Sequence, residues 1–203
     1  MTAPADERTQ KPDPDAGLMA RVREGDREAF RELYEKHGAA VSRYVVHFTA
    51  NPARAEEITQ DVFLQVYRAR ERWEPRARFT TWLYTIAHNL CLNELRRFEY
   101  RGRIRALEGS EDDEGPPAID PPDERALEGA AVVSGREIEG RLRELLEGLP
   151  EKQRTALLLS RFEGLRYEEV GEVLGCSEQA VKSLIFRATQ RLKEGLKGWI
   201  EDE

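Results

Sequence analysis

Tyr167-Glu168-Glu169-Val170-Gly171-Glu172-Val173-Leu174 runs into Gly175-Cys176 and then into Ser177-Glu178-Gln179-Ala180-Val181-Lys182-Ser183-Leu184-Ile185-Phe186-Arg187. Val170, Val173 and Leu174 share one face of a short helix. Gly175-Cys176 breaks that pattern, and Ser177 is a good N-cap for a second helix. Beyond it Val181, Leu184, Ile185, Ala188 and Leu192 recur at helical spacing, while Lys182, Ser183, Arg187, Gln190 and Arg191 stay polar. A short helix, a tight turn and a second helix with a polar-basic face is the arrangement that lays side chains into a DNA major groove. A plain helical hairpin with a solvated basic face meets the same loose template. Just upstream, Pro150 in Leu149-Pro150-Glu151-Lys152-Gln153-Arg154 opens a further helix, because proline has no amide hydrogen to leave unpaired. Ile138, Leu142, Leu145 and Leu146 start this unit at helical spacing.

The first half of the chain is also helical by pattern. After Gly25, Asp26 caps a long helix whose stripe is Phe30, Leu33, Tyr34, His37, Val41, Tyr44, Val45 and Phe48. Asn51-Pro52 ends it. The next helix buries Ile58, Val62, Phe63, Val66 and Tyr67. Pro75 excludes helix from residues 72–79. Thr80 or Thr81 is the expected cap of a fourth helix reaching about Phe98, with Leu83, Ile86, Ala87, Leu90, Cys91 and Leu95 inward. No alternating strand pattern appears. The expectation is an all-α chain: a disordered tail over 1–15, a first unit over 16–100, a flexible acidic linker over 101–137 and a second unit over 138–198.

The net charge of −7 is distributed unevenly. Nine acids against the single base Arg125 fall within 108–128, which leaves the remainder of the chain at +1. Arg68, Arg70, Arg72, Arg76 and Arg78 form one basic cluster; Arg96, Arg97, Arg101, Arg103 and Arg105 form another. Such segregation fits two phosphate-facing units with an acidic joint, although any single arginine taken alone is better accounted for as solvated surface. Cys91 and Cys176 lie far apart with no CxxC partner, which argues against a zinc knuckle or a disulfide framework, and both read as buried thiols. No apolar run is long enough to span a bilayer and 1–15 has no signal-peptide core, so a cytoplasmic protein is expected.

Glu57, Gln60, Asp61 and Gln65 form a polar seam beside Phe63. Metal-binding bundles repeat Glu-x-x-His pairs, which are missing, so this seam reads as a docking surface or a solvated face. His37, His47 and His88 are isolated in sequence and read as structural. No nucleophile–base pairing, phosphate loop or metal spacing stands out, so no enzyme, cofactor or metal is expected. On the fourth helix Thr81, Trp82, Thr85, His88, Asn89, Asn93, Arg96 and Arg97 are expected outward. Aromatics and amides beside arginine suit unstacked bases, which need a π-face and partners for their edges. Trp82 packing back on the first helix is the alternative.

Together these segments resemble the extracytoplasmic-function sigma factors of bacterial RNA polymerase, over about residues 28–97 and 140–196. The matching pieces are Ala29-Phe30-Arg31-Glu32-Leu33-Tyr34, Ala55-Glu56-Glu57-Ile58-Thr59-Gln60-Asp61-Val62-Phe63, and Phe79-Thr80-Thr81-Trp82-Leu83-Tyr84-Thr85-Ile86-Ala87-His88-Asn89. In the second unit they are Leu149-Pro150-Glu151-Lys152-Gln153-Arg154, Tyr167-Glu168-Glu169-Val170 and Val181-Lys182-Ser183. Each piece is weak alone; all in the family's order are strong. Leu184 departs from the arginine that family members often carry at this place.

The resemblance implies sigma region 2 followed by sigma region 4. It implies that Glu57, Gln60, Asp61, Phe63 and Gln65 bind core RNA polymerase. Trp73, Arg76, Arg78, Phe79, Trp82, Thr85, His88, Asn89, Asn93, Arg96 and Arg97 would hold the opened strand of the start-proximal promoter element. Ser177, Glu178, Gln179, Lys182, Ser183, Phe186, Arg187 and Arg191 would read the upstream element as duplex. It also implies an anti-sigma partner. A linker of about thirty-five residues has an end-to-end distance near 30–35 Å, at roughly 5–6 Å × √n. A helix-turn-helix regulator acting without polymerase leaves the 57–65 surface unexplained, and a carboxylate nuclease lacks a metal constellation.

Overall fold

The computed structural model describes the backbone of residues 13–75, 77–108 and 130–197, and their side chains except at 99, 102–108, 130–137 and 139. Among the described residues there are eight α-helices and no strand. They are α1 (Ala16–Arg23), α2 (Arg27–Thr49), α3 (Pro52–Ala69), α4 (Phe79–Glu108), α5 (Ala130–Glu147), α6 (Glu151–Leu157), α7 (Tyr167–Leu174) and α8 (Glu178–Gly195). A 3-10 turn at Arg70–Arg72 follows α3, and a π turn at Leu158–Phe162 continues α6.

Most boundaries are set by local chemistry. Gly25, at φ +91°, turns the chain between α1 and α2. Asp26 caps α2, its carboxylate accepting from the N–H groups of Glu28 and Ala29 at 2.9 and 3.1 Å. Asn51 caps α3 by accepting from the Arg54 N–H at 3.1 Å, with Pro52 in the first turn. Ser177 caps α8 by accepting from the Ala180 N–H at 3.2 Å. Between α7 and α8, Gly175 takes the left-handed conformation at φ +61°. A Cβ added at Gly171 would sit 2.7 Å from the Cys176 carbonyl oxygen, so the turn folds back on α7 only over a glycine.

Three boundaries differ from the expectations. Thr80 and Thr81 do not cap α4; they lie inside its first turn, and the Phe79 N–H donates to Asp13 at 2.7 Å. Asp13 and Asp15 fall within the tail expected to be disordered, yet they carry defined hydrogen bonds. Helix extends to Glu108 and resumes at Ala130, so both ends of the stretch expected to be linker are helical. The acidic residues 109–129 and the tail 1–12 lie outside the described residues.

In the first unit α1–α4 pack around Met19, Leu33, Val41, Tyr44, Phe48, Val62, Phe79 and Leu83, each at most 1 % exposed. In the second, α6–α8 enclose Ala156, Leu158, Leu159, Val170, Val181 and Ala188. Cys91 is fully buried, and burial pushes its thiol up to about 12, which keeps it protonated; Cys176 is only half-buried, contrary to the expectation for it.

The units also pack on one another, α4 against α7 and α2 against α5. Arg154 donates to the Phe48 carbonyl at 2.8 Å and lies 5.2 Å from the centre of the Phe48 ring. That carbonyl belongs to the last turn of α2, where a cation complements the helix dipole. Tyr84 donates its hydroxyl to Glu163 at 2.5 Å, and Arg78 pairs with the buried Glu169 at 3.6 Å. The His47 and Phe162 rings lie 5.7 Å apart across the same seam.

Candidate nucleic-acid interface

α8 separates its two faces completely. Val181, Ile185 and Ala188 are buried, while Ser177, Glu178, Gln179, Lys182, Ser183, Phe186, Arg187 and Arg191 are all exposed. Lys182 pairs with Glu178 at 2.7 Å along the helix surface, and the Ser183 hydroxyl donates to the Gln179 carbonyl at 3.1 Å. Phe186 is 63 % exposed on this otherwise polar face. A large aromatic there adds nothing to the core, but its ring can meet an apolar group such as a thymine methyl. Leu184 is half-buried and sits at the edge of the apolar face.

α4 does not separate its faces in this way. Asn89, Asn93, Arg96 and Arg97 are exposed, Trp82, Thr85 and Arg78 are half-buried, and Arg76 lies outside the described residues. Trp73, Phe79 and His88 are 4 %, 0 % and 4 % exposed, which corrects the expectation that they face a nucleic acid. Thr81, also expected outward, is 2 % exposed. α4 packs against α2, α3 and α7, and His88 is further enclosed by Tyr44 and Phe48 of α2 and Thr155 of α6, while Trp73 is buried ahead of the helix. Phe79 stacks toward His37 and Trp82, with ring centres 5.4 and 6.2 Å away.

His88 is enclosed by its neighbours. Its Nδ1 lies 3.2 Å from the Tyr44 hydroxyl and 3.5 Å from the Thr155 hydroxyl, and the Phe48 ring meets it edge-on. Burial, reinforced by the positive charge of Lys152, pushes its pKa down to about 4, so the imidazole is neutral at physiological pH. The other two histidines also have neighbours from distant parts of the chain: His37 lies 2.9 Å from Asp15, and His47 packs beside Phe162.

One brace escaped sequence reasoning. Arg54 on α3 donates from Nε and Nη2 to the two carboxylate oxygens of Glu94 on α4, each at 3.0 Å. This bidentate pair holds the Glu94 carboxyl below the usual carboxylate range, and Arg97 sits 3.5 Å from the same group. The partners are forty residues apart, so no local spacing announces them.

On α3, Glu57, Gln60, Asp61 and Gln65 are exposed, and Glu57 pairs with Arg54. Phe63, which the helix pattern puts inward and the resemblance puts in contact with polymerase, is 2 % exposed, in agreement with the helix pattern. Its ring meets Tyr34 at 4.8 Å and Phe30 at 6.4 Å in edge-to-face contacts, which place it in the α2–α3 core. Leu64, 43 % exposed, is the apolar side chain that this face presents instead.

Sequence comparisons agree with this two-unit layout. A family model for sigma-70 region 2 matches residues 33–100, and one for sigma-70 region 4 matches 139–192. RNA polymerase sigma-H factor of Pseudomonas aeruginosa is 35 % identical over 188 residues, which is 90 % of this chain and 94 % of that protein. ECF RNA polymerase sigma factor SigE of Mycolicibacterium smegmatis is 35 % identical over 165 residues, covering 81 % of this chain and 60 % of that one. In fold, the chain is similar to the sigma factor RpoE solved in complex with the anti-sigma factor NepR from Bartonella quintana. That match has a TM-score of 0.64 at 24 % identity and covers 86 % of this chain and 98 % of the other. Two region models in the family's order, and relatives matched over nearly their whole length, give the conclusion: the chain belongs to the extracytoplasmic-function group of sigma-70 RNA polymerase sigma factors, which bind core polymerase and direct promoter-specific initiation.

Proposed function

We propose that the three exposed faces divide the work of initiation. The α8 face of Ser177, Lys182, Ser183, Phe186, Arg187 and Arg191 reads the upstream promoter element as intact duplex. The α4 face of Asn89, Asn93, Arg96 and Arg97, with Trp82, Thr85 and Arg78 at its margin, holds the separated strand near the start site. The α3 face of Glu57, Gln60, Asp61 and Gln65 docks on core polymerase with Leu64 as its apolar contact. The chain works as a non-enzymatic specificity subunit in the cytoplasm. An anti-sigma protein is its regulator; the support is the likeness in fold to a sigma factor solved with such a partner.

The observation that carries this reading is the α8 face, where every polar residue singled out from the sequence is exposed and an unburied Phe186 accompanies them. Arg187→Ala is expected to weaken binding to duplex carrying the upstream element, by about 1–3 kcal/mol on that sequence alone if Arg187 reads a base. Asn89→Ala is expected to leave duplex binding unchanged and to slow strand opening, followed with a fluorescent base in the start-proximal element. If Asn89→Ala instead impairs duplex binding as severely as Arg187→Ala and leaves opening unaffected, the division is wrong.

A further inference from the structure

The first turn of α4 is held from outside its own sequence. Helices usually take a cap from the residue just ahead, as α2, α3 and α8 do here through Asp26, Asn51 and Ser177. α4 has Arg78 in that place, whose carbonyl accepts from the Trp82 N–H at 3.2 Å but whose side chain pairs with Glu169. The acceptor for the free Phe79 N–H is Asp13, sixty-six residues earlier in the chain, at 2.7 Å. The other carboxylate oxygen of Asp13 accepts from the Asp15 N–H at 3.1 Å.

Asp15 fixes this arrangement to the body of the unit. It is 1 % exposed, and its two oxygens engage Lys36 at 2.5 Å and His37 at 2.9 Å, both on α2. These contacts hold its carboxyl below the usual carboxylate range despite its burial. Met19 and Val22, fully buried, seat α1 beside the 3-10 turn that leads into residues 73–79. A continuous set of contacts thus runs from α2 through Asp15 and Asp13 to the start of α4. The negative charge of Asp13 also lies at the positive end of a thirty-residue helix.

We infer that Asp13 is a positioning residue for promoter opening: it caps α4 from a distance and sets the direction in which Arg78, Trp82 and Asn89 project. Asp13 does not touch DNA, since a carboxylate repels phosphate. It acts through the first turn of α4, and a frayed first turn leaves the strand-holding face without a defined geometry. This inference rests on the reading of α4 as the strand-holding face, and the experiment separates the two.

Full-length Asp13→Ala, Asp13→Asn and Asn89→Ala proteins are assembled with core polymerase, and opening is followed with a fluorescent base in the start-proximal element. Asp13→Ala is expected to slow opening roughly fivefold, the size of effect that loss of a helix N-cap produces. Affinity for core polymerase and for duplex carrying the upstream element should be unchanged. Asp13→Asn, which keeps one acceptor oxygen, should recover most of the opening rate. If Asn89→Ala slows opening and Asp13→Ala does not, the reading of α4 stands and the role of Asp13 is overturned. If neither slows it, the reading of α4 falls and this inference with it. If Asp13→Ala weakens polymerase, duplex and opening together, or Asp13→Asn is no better than Asp13→Ala, Asp13 is a general stabiliser and the positioning role is overturned.

Discussion

α8 and α4 are both DNA-facing helices in the proposed scheme, yet they are built on opposite plans. α8 has one buried side and one solvent side, so its apolar residues repeat at a single angle and the polar residues expected to meet DNA are exposed. α4 is pressed between α2–α3 and α7, so Leu83 and Ala87 are buried toward one side while Thr81, Tyr84 and His88 are also buried. Its hydrophobic direction therefore nearly cancels around the helix. A surface helix advertises its working face in its periodicity, and a sandwiched helix does not.

The largest contrast is expected from one substitution in each helix. Phe79→Ala removes a fully buried ring from the head of α4 and should cost about 3–5 kcal/mol of stability in denaturant unfolding. Phe186→Ala removes an exposed ring from α8 and should change stability by no more than about 0.5 kcal/mol. It should weaken upstream-element binding instead. Equal stability losses would erase the distinction between the helices.

His88 tests the part of α4 that α2 and α6 enclose. Its folded-state pKa of about 4 lies below the ordinary 6.5, so between those values the unfolded chain binds a proton that the folded chain refuses. The contribution is present in full above pH 6.5 and is lost as pH falls toward 4, by about 3 kcal/mol. The groups facing the ring are Tyr44 on α2 and Thr155 and Lys152 on α6. His47 is also shifted down by burial and adds a slope of the same sign. His88→Gln should flatten the pH dependence of unfolding across this window; an unaltered slope would mean that the ring is not enclosed at the seam.

The smallest effect concerns how the two helices start. Ser177→Ala removes a local cap from α8 and should cost about 1 kcal/mol, whereas Ser177→Gly should cost only a few tenths. Thermal unfolding of the two variants checks the order. A reversed order would show that the Ser177 hydroxyl does not hold the first turn of α8.

Much of this fold was legible in the sequence. Asp26 and Ser177 are local caps and act where their spacing predicts, because a cap bonds amides only two or three residues away. The α8 face was legible to the residue for the same reason: helical periodicity and a single solvent boundary are both local properties. Phe63 carried two expectations, inward by the helix pattern and toward polymerase by the resemblance, and Phe30 and Tyr34 arriving from α2 enclose it in the core. Leu64, one residue on, took the exposed place.

The order of neighbouring residues was enough to establish an all-helical fold of two units and the solvent-exposed face of the second, since each is a local property. Tertiary structure alone decided the rest. Arg54 meets Glu94 forty residues away, Asp13 caps Phe79 across sixty-six, and Arg154 reaches the end of α2 across one hundred and six. Burial of Phe79 and His88 is likewise a property of what packs around α4 rather than of α4 itself. The physical reason is common to all of these. A hydrogen bond or a desolvated ring needs a partner at a distance of a few ångströms in space, and spacing along the chain carries no record of a partner that folding brings from elsewhere.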